Sequence, residues 1–310
     1  MKNILFLFSF ILIISCSKDE TITTDNTIGQ NISTLIQPNQ TDTNYSSTQE
    51  SHYVARNTKT HLNKLLLFIG GSYSIPKDYN YICDHGATIG LDVISLSYPN
   101  DVAAFSMSNS ADINGFNDFR DEICFGNQIS SVVDVNALNC ITTRATKLLI
   151  YLKNTYPNEN WGQYLTASNT ILWYKVIVSG HSQGSGHACY IAKRFLTDRV
   201  VMFSGPNDYS TYFNNPANWL SQTGLTPISK YYSLLHTQDE IVPFNYQVAN
   251  MRSLGLLTAT ENPLLVDNLT APYSNAHSMS LNINALSFHN STVGQNSKLP
   301  NIWTYMFTSN

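Results

Sequence analysis

Short apolar runs alternate along most of the chain with segments whose apolar residues recur at helical spacing. The apolar runs are bounded by turn residues and cover 65–69, 92–96, 175–178, 199–203, 231–235 and 264–266. The helical spacing covers 78–89, 143–156, 185–196 and 300–307. Strands that are apolar at nearly every position are buried on both faces, which is typical of parallel sheets. The alternation therefore predicts an α/β domain with a mostly parallel central sheet and helices on both faces.

The N-terminus departs from this pattern and is typical of an export signal. Lys2 supplies a positive charge, and residues 4–14 form an apolar run that is short for a bilayer span. The run leads into Cys16 through two isoleucines and a serine, which resembles the lipobox of bacterial lipoproteins. This resemblance implies a signal peptide over residues 1–15, a lipid on Cys16 and attachment to a membrane. A plain secretory signal that is cut elsewhere is the alternative.

Residues 17–58 are dominated by Thr, Asn, Gln, Ser and Asp, with few large apolar side chains. Such a composition buries too little apolar surface to offset the entropy lost on ordering. We therefore expect a flexible polar tether over residues 16–58 and a single folded domain over residues 59–310. The acidic pair Asp19-Glu20 resembles export tags of surface lipoproteins. This resemblance implies that the protein is attached to the outer membrane of the cell envelope, with exposure on the cell surface as one alternative.

Composition excludes some partners and leaves the state of the cysteines open. The chain has 310 residues, 43% hydrophobic, with a net charge of −4 and no cluster of Lys or Arg. A nucleic-acid partner is therefore not expected. Four cysteines follow Cys16, and they allow either two disulfides or four buried thiols. None has the spacing of a zinc ligand, and the sequence predicts no metal and no cofactor. These cysteines are Cys83, Cys124, Cys140 and Cys189.

Residues 176–188 carry the strongest chemical signal. An apolar strand leads into Gly-His-Ser-Gln-Gly over 180–184, and a run of small residues then opens a helix. In this context Gly-x-Ser-x-Gly is typical of a nucleophile elbow, in which a sharp turn presents the serine hydroxyl to a base. Gly180 and Gly184 let the strand and the helix approach closely around Ser182. Ser182 is therefore the predicted nucleophile.

Three features occur in the chain order nucleophile, acid, histidine, and the region from about residue 59 to the C-terminus resembles the α/β-hydrolase superfamily. The resemblance implies that the acid lies just past the strand two places after the elbow strand. Asp239 holds that position and is followed by Ile241, Val242 and a proline. It would accept the Nδ1–H of the catalytic histidine. Asp208, after the intervening strand, is the alternative acid.

The family's base lies after the last strand, and two histidines qualify. His289 is nearer to the predicted final helix, and residues 289–293 resemble the histidine region of some secreted bacterial hydrolases. His277 is the alternative base; if His289 is the base, His277 is expected to line the pocket or to form a hydrogen bond there. His181, inside the elbow, is expected to pack beside the strand ends.

The resemblance also implies an oxyanion hole made of two backbone N–H groups. One is expected from Gln183, the residue after the nucleophile. The other is expected from the loop after the first predicted strand, where Ser72 is the favoured donor and Gly71 the alternative. The segment 205–230 is long for a simple connection and is rich in aromatic residues, so it is a candidate cap over the site.

These residues predict a serine hydrolase of the carboxylesterase or lipase kind, working through an acyl-enzyme without cofactor or metal. The substrate would be a small-molecule or polymer ester, and peptide or thioester cleavage would use the same residues. The alternative is a binding protein on the same scaffold, with an idle site, because fold does not determine function.

Overall fold

The computed structural model describes residues 29–45 and 50–309, and a central sheet of nine strands runs through it. The strands of this sheet are β1 Asn31–Ile36, β2 His52–Asn57, β3 Leu65–Ile69, β4 Asp92–Leu96, β5 Val176–His181, β6 Arg199–Phe203, β9 Tyr231–His236, β10 Leu264–Leu265 and β11 Ser278–Leu281. A separate two-stranded hairpin is formed by β7 Tyr209–Ser210 and β8 Asn215–Pro216.

The strand order is β1-β2-β4-β3-β5-β6-β9-β11-β10. β2 runs antiparallel to β1 and to β4, and every other neighbouring pair in the sheet is parallel. This mostly parallel order is that of the α/β-hydrolase fold, and the predicted fold class is confirmed. We call the carboxyl end of the sheet the side at which β3, β4, β5, β6, β9 and β11 end, and the amino end the opposite side.

Within the residues that the structure describes, seven α-helices cover the two faces of the sheet. They are α1 Pro38–Thr41, α2 Asn80–Thr88, α3 Gly115–Phe125, α4 Ile141–Thr155, α5 Gln183–Arg194, α6 Phe244–Leu254 and α7 Leu299–Thr308. Successive strand residues point to opposite faces. Leu66 and Phe68 pack in one core with α2 and α7, whereas Leu65 and Leu67 pack in the other with α3, α4 and α5. The predicted placement of helices on both faces is therefore present.

The predicted tether is wrong over residues 31–36 and 52–57, where β1 and β2 add two strands to the sheet. β1 is the outermost strand, and five of its six residues are exposed. It is held by backbone pairing with β2 along its whole length. A polar composition is common in an edge strand, because only its inner side meets the core. The signal peptide over 1–15, the lipid site Cys16 and residues up to 28 lie outside the described residues.

The run 264–266, predicted as the last strand, contributes only the short outer strand β10, and the later strand β11 was not predicted. β11 has the sequence Ser-Met-Ser-Leu, and all four residues are buried between β9 and β10. Its serines are satisfied inside the sheet, since Ser233 Oγ donates to Ser278 Oγ at 2.8 Å. A strand that buries hydroxyls in this way lacks the continuous apolar run on which the prediction depended.

All four cysteines after Cys16 are free and buried, so the disulfide alternative is wrong and the thiol alternative holds. Cys83 lies in α2 on one face of the sheet, whereas Cys124 and Cys189 lie in α3 and α5 on the other. Burial raises the pKa of the Cys189 thiol to about 12.

Across the described ranges, no helix combines the length and the apolar character needed to cross a membrane.

Candidate active site

Ser182 lies on a strained turn between β5 and α5, at the carboxyl end of the sheet. Its φ of 55° and ψ of −122° are unusual for a residue with a side chain, and such strain is concentrated at functional sites. Gly180 and Gly184 permit the close approach that the turn needs. A Cβ on Gly184 would lie 1.9 Å from the carbonyl oxygen of Ile69, and one on Gly180 would lie 2.3 Å from that of Gly184. The strand–turn–helix context expected for this motif is thus present.

His289 and Asp239 meet beside this turn. His289 Nδ1 lies 2.8 Å from Asp239 Oδ2 and 3.0 Å from Oδ1. The N–H groups of Ile241 and Val242 donate to Asp239 Oδ1, and Gln247 Nε2 donates to Oδ2 at 2.9 Å. Burial opposes the charged carboxylate, but these hydrogen bonds outweigh it and lower the pKa of Asp239 below its ordinary 3.8. A charged Asp239 holds His289 with Nδ1 protonated and leaves Nε2 to act as a base.

Glu240, the neighbour of Asp239, bonds to the backbone of the loop that carries His289 and not to the His289 imidazole. We call this loop, residues 282–290, the histidine loop. Glu240 Oε2 accepts the N–H of His289 at 3.0 Å, and Glu240 Oε1 accepts the Ser287 hydroxyl at 2.6 Å. The two adjacent carboxylates therefore support the same loop through different groups.

Asp208, the alternative acid, is used elsewhere. It is fully buried and pairs with the equally buried Arg120, whose Nε donates to Oδ2 at 3.0 Å, and it also accepts from Trp219 Nε1 at 2.8 Å. Arg120 Nη1 donates to the carbonyl oxygen of Gln183 at 2.7 Å. This ion pair therefore braces the first turn of α5 beneath the elbow. The role of Arg120 is not predictable from the sequence, because its partners lie 63 and 88 residues away.

His277, the alternative base, lies at the amino end of the sheet, because it directly precedes β11. Its Nδ1 lies 3.0 Å from the carbonyl oxygen of Tyr231, and its carbonyl oxygen accepts the N–H of Ser233 at 2.8 Å. Its ring stacks on Tyr232 at 4.4 Å between centroids. The structure therefore brings His289, and not His277, to the end of the sheet where Ser182 lies.

Asn207, which follows β6, contacts Ser182 and was not identified from the sequence. Its Nδ2 donates to Ser182 Oγ at 3.2 Å, and this is the only hydrogen bond of that hydroxyl oxygen within the described ranges. The rings of His181 and His289 lie 4.9 Å apart, so the imidazole of His289 lies next to the elbow. Hydrogen bonds between catalytic groups are often long before substrate binds. The position of Asn207, directly after the strand that follows the elbow, is the sequence feature that could have identified it.

Two of the three predicted oxyanion donors have free N–H groups. Within residues 29–45 and 50–309, the backbone N–H groups of Ser72 and Gln183 have no hydrogen-bond acceptor, whereas that of Gly71 donates to the Tyr79 hydroxyl at 2.8 Å. The Ser72 hydroxyl donates to Gln183 Oε1 at 2.8 Å, which joins the loop after β3 to the first turn of α5. A Cβ on Gly71 would lie 3.1 Å from Ser182 Cβ. The loop therefore lies against Ser182.

His181 joins this loop to the histidine loop, beyond the simple packing expected of it. Its Nδ1 lies 3.2 Å from the Tyr79 hydroxyl, and its Nε2 lies 3.0 Å from the carbonyl oxygen of His289. Burial lowers the pKa of His181 to about 3, and the neighbouring His289 contributes in the same direction. His181 is therefore a neutral imidazole at physiological pH.

The loops around the site expose apolar side chains and no basic ones. The segments 70–75, 97–114, 204–218, 237–243 and 282–290 contain neither Lys nor Arg. Several exposed apolar residues directly adjoin site residues: Tyr73 follows Ser72, Ile241 donates its N–H to Asp239, and Leu286 lies three residues before His289. The exposed apolar side chains on these segments are Tyr73, Phe105, Ile113, Tyr212, Phe213, Ile241 and Leu286.

The candidate cap over 205–230 contributes to both core and rim. The β7–β8 hairpin reaches the loop after β4, because the N–H of Thr211 donates to the carbonyl oxygen of Ser108 at 2.7 Å. Trp219 is fully buried, whereas Tyr212 and Phe213 are exposed and pack on each other at 4.9 Å. Only part of the predicted aromatic cap therefore faces solvent.

No family model matches this sequence, and no curated protein matches it. Among solved structures, the Thermus thermophilus protein TT1662 aligns with 10% identity and a TM-score of 0.43, covering 83% of this chain and 92% of its own. A Klebsiella pneumoniae protein named as a candidate dienelactone hydrolase aligns with 10% identity and a TM-score of 0.40, covering 88% and 95%. The fold assignment depends on the order and direction of the strands described above.

Proposed function

We propose that this protein is a serine hydrolase that cleaves an uncharged carboxylic ester through an acyl-enzyme on Ser182. One arrangement carries the proposal. A serine on a strained turn, a histidine bound through Nδ1 to a charged carboxylate, and two free backbone N–H groups lie together at one end of the sheet. These are the three parts that acyl transfer by a serine requires.

In the proposed mechanism, Ser182 Oγ exchanges its contact with Asn207 for one with His289 Nε2 when the ester is bound. His289 takes the hydroxyl proton as Oγ attacks the ester carbonyl, and Asp239 stabilises the imidazolium. The N–H groups of Ser72 and Gln183 donate to the developing oxyanion.

The tetrahedral intermediate then collapses, and the imidazolium donates its proton to the leaving alkoxide, which departs as the alcohol. Water repeats the sequence on the acyl-enzyme, with His289 again as the base. The acid leaves and Ser182 regains its proton, so no external proton or electron is consumed.

The character of the site mouth supports an uncharged substrate with apolar groups. The exposed apolar residues on the surrounding loops suit acyl or alcohol chains that leave water on binding. The charged side chains exposed there are acidic and include Asp101, Asp112 and Glu240. A carboxylate on the substrate would meet like charge and no cation, which lowers its rate of encounter.

Ser182→Ala tests the proposal against wild type and against Ser221→Ala, an exposed serine whose hydroxyl bonds to the carbonyl oxygen of Asn218. We expect wild type and Ser221→Ala to hydrolyse p-nitrophenyl butyrate and to be labelled by a fluorophosphonate. Ser182→Ala should fold, as judged by circular dichroism, and lose both properties. Labelling that persists in Ser182→Ala would assign the nucleophile elsewhere.

A binding protein with an idle site is the second candidate, and the contact between Asn207 and Ser182 Oγ favours it, since that hydroxyl does not bond to the base. Wild-type protein that resists the fluorophosphonate and all ester probes, yet retains a surface polymer, would support it. Labelling at Ser182, mapped by mass spectrometry, would contradict it.

Export and lipid attachment at Cys16 remain a proposal from the sequence of the first residues. Expression of the full chain with labelled palmitate should give a labelled, membrane-bound protein. Cys16→Ser should be unlabelled, whereas Cys83→Ser, which removes a buried thiol, should keep the label. Equal labelling of Cys16→Ser and wild type would contradict the lipobox interpretation.

A further inference from the structure

A continuous chain of hydrogen bonds crosses the elbow from the loop after β3 to the histidine loop. The N–H of Gly71 lies 2.8 Å from the Tyr79 hydroxyl, which lies 3.2 Å from His181 Nδ1. His181 Nε2 lies 3.0 Å from the carbonyl oxygen of His289. Both side chains in this chain, Tyr79 and His181, are at most 6% exposed, so water does not compete for the contacts.

The two ends of this chain determine the direction of every bond in it. A carbonyl oxygen only accepts, so His181 must carry its proton on Nε2 and donate it to His289. The neutral ring then has a bare Nδ1, which accepts the Tyr79 hydroxyl hydrogen. The oxygen of Tyr79 in turn accepts from Gly71. Only one tautomer of His181 satisfies all of these groups.

We propose that Tyr79 and His181 are positioning residues that link the loop after β3 to the proposed catalytic base, His289. We call the loop after β3, residues 70–75, the oxyanion loop. By engaging the N–H of Gly71, Tyr79 orients the loop so that the next N–H, that of Ser72, stays free beside Ser182. By holding the His289 carbonyl, His181 keeps the imidazole in reach of both Asp239 and the nucleophile. This inference rests on the proposed hydrolase function for its effect on turnover, but not for the hydrogen bonds themselves.

The neutrality of His181 has a second consequence for the same reaction. The His181 ring lies 4.9 Å from that of His289, which must become positively charged during turnover. A charged His181 at this distance would disfavour that imidazolium. Burial holds the pKa of His181 near 3, so the bridge carries no competing charge at physiological pH.

Tyr79→Phe removes the central hydroxyl and leaves the N–H of Gly71 buried without a partner. A buried donor without a partner is costly, so the loop that carries it should lose its orientation. We expect kcat on p-nitrophenyl butyrate to fall roughly tenfold or more, with KM changed less than about twofold. Tyr164→Phe is the matched control, because it removes a buried hydroxyl that donates to Asp92 at the amino end of the sheet. It should lower the melting temperature similarly and leave kcat unchanged. Equal kcat in the two variants, or a loss confined to KM, would overturn the proposal.

His181 offers a test that does not need activity. In protein with isotope-labelled histidine, NMR of the ring nitrogens should show His181 neutral and protonated on Nε2 between roughly pH 5 and pH 9. A His181 protonated on Nδ1, or charged in this range, would overturn the bridge. If wild type is neither active nor labelled by a fluorophosphonate, the hydrolase proposal fails, and this measurement still decides whether the bridge exists. In active protein, His181→Gln, which keeps an amide donor, should retain more kcat than His181→Phe.

Discussion

The two ends of the central sheet each hold one of the two candidate histidines, in very different surroundings. At the carboxyl end, His289 bonds to a buried carboxylate and lies beside a strained serine. At the amino end, His277 stacks on Tyr232 and bonds to the backbone of β9. Both histidines lie in the last part of the chain, in segments rich in Ser and Asn. Their chemistry differs because one follows the last strand and the other precedes it.

Charge divides the same two ends. The segments 70–75, 97–114, 204–218, 237–243 and 282–290, which leave the carboxyl ends of the strands, carry acidic residues and no Lys or Arg. Basic residues stand instead where strands begin: Lys64 before β3, Lys175 before β5 and Lys230 before β9. The difference indicates that an anionic group would meet no cation on the five segments around Ser182.

Substituting each of the two histidines in turn should have the largest effect and tests this comparison most directly. His289→Gln should lower kcat/KM on p-nitrophenyl butyrate by about 10⁴-fold or more, because it removes the proposed base of a triad. His277→Gln should keep kcat/KM within about threefold of wild type and lose only a little melting temperature. Comparable losses in the two variants would contradict the assignment of the base.

Substrate charge should have a smaller effect that sharpens the comparison of the two ends. We expect kcat/KM to be about tenfold lower for a p-nitrophenyl hemisuccinate than for the butyrate, with the gap narrowing as salt screens the charges.

Two substitutions by lysine, one at each end of the sheet, test whether the charge near Ser182 causes this difference. Asp101→Lys, on a loop at the carboxyl end, should reduce the difference in kcat/KM between the two esters. Glu261→Lys, an exposed position before β10, should leave it unchanged. Equal rates for the two esters in wild type would show that the mouth does not select against anions.

Acidification should have the smallest effect, and we follow it through Asp239 at the carboxyl end. The pKa of Asp239 is lowered in the folded protein, so its charged form contributes stability that is present above the ordinary value of 3.8 and lost as the pH falls through the folded value. Wild type should therefore exceed Asp239→Asn in melting temperature by a few degrees at neutral pH. The difference should shrink below about pH 4. A difference that stays constant with pH would show that Asp239 is not charged as inferred.

The core strands were predictable because burial on both faces imposes a local pattern. The predicted runs 65–69, 92–96 and 199–203 coincide with β3, β4 and β6. The prediction failed where burial is one-sided or polar. β1 exposes most of its side chains, and β11 buries two serines, of which Ser278 bonds to Ser233 in β9 and Ser280 to the carbonyl oxygen of Pro263. Pairing with a neighbour stabilises both strands, and pairing between distant segments leaves no periodic trace in the sequence.

The site follows the same division. The elbow was predictable because its glycines, its serine and its helix are adjacent, and the position of Asp239 follows from chain order. Asn207, Tyr79 and Arg120 were missed, because the contacts that bring them to the elbow join residues 25, 102 and 63 apart.

By itself, the sequence determined the α/β fold class, the elbow serine and the order of its candidate partners, because these depend on local patterns of burial and on adjacent residues. Only the tertiary structure placed His289, and not His277, at the end of the sheet where Ser182 lies. It also paired the N–H of Gly71 with Tyr79 and the carboxylate of Asp208 with Arg120. It linked the oxyanion loop to the histidine loop through Tyr79 and His181. Those choices depend on which ends of the strands meet in space. Strand pairing between distant segments sets that arrangement, and spacing along the chain does not encode it.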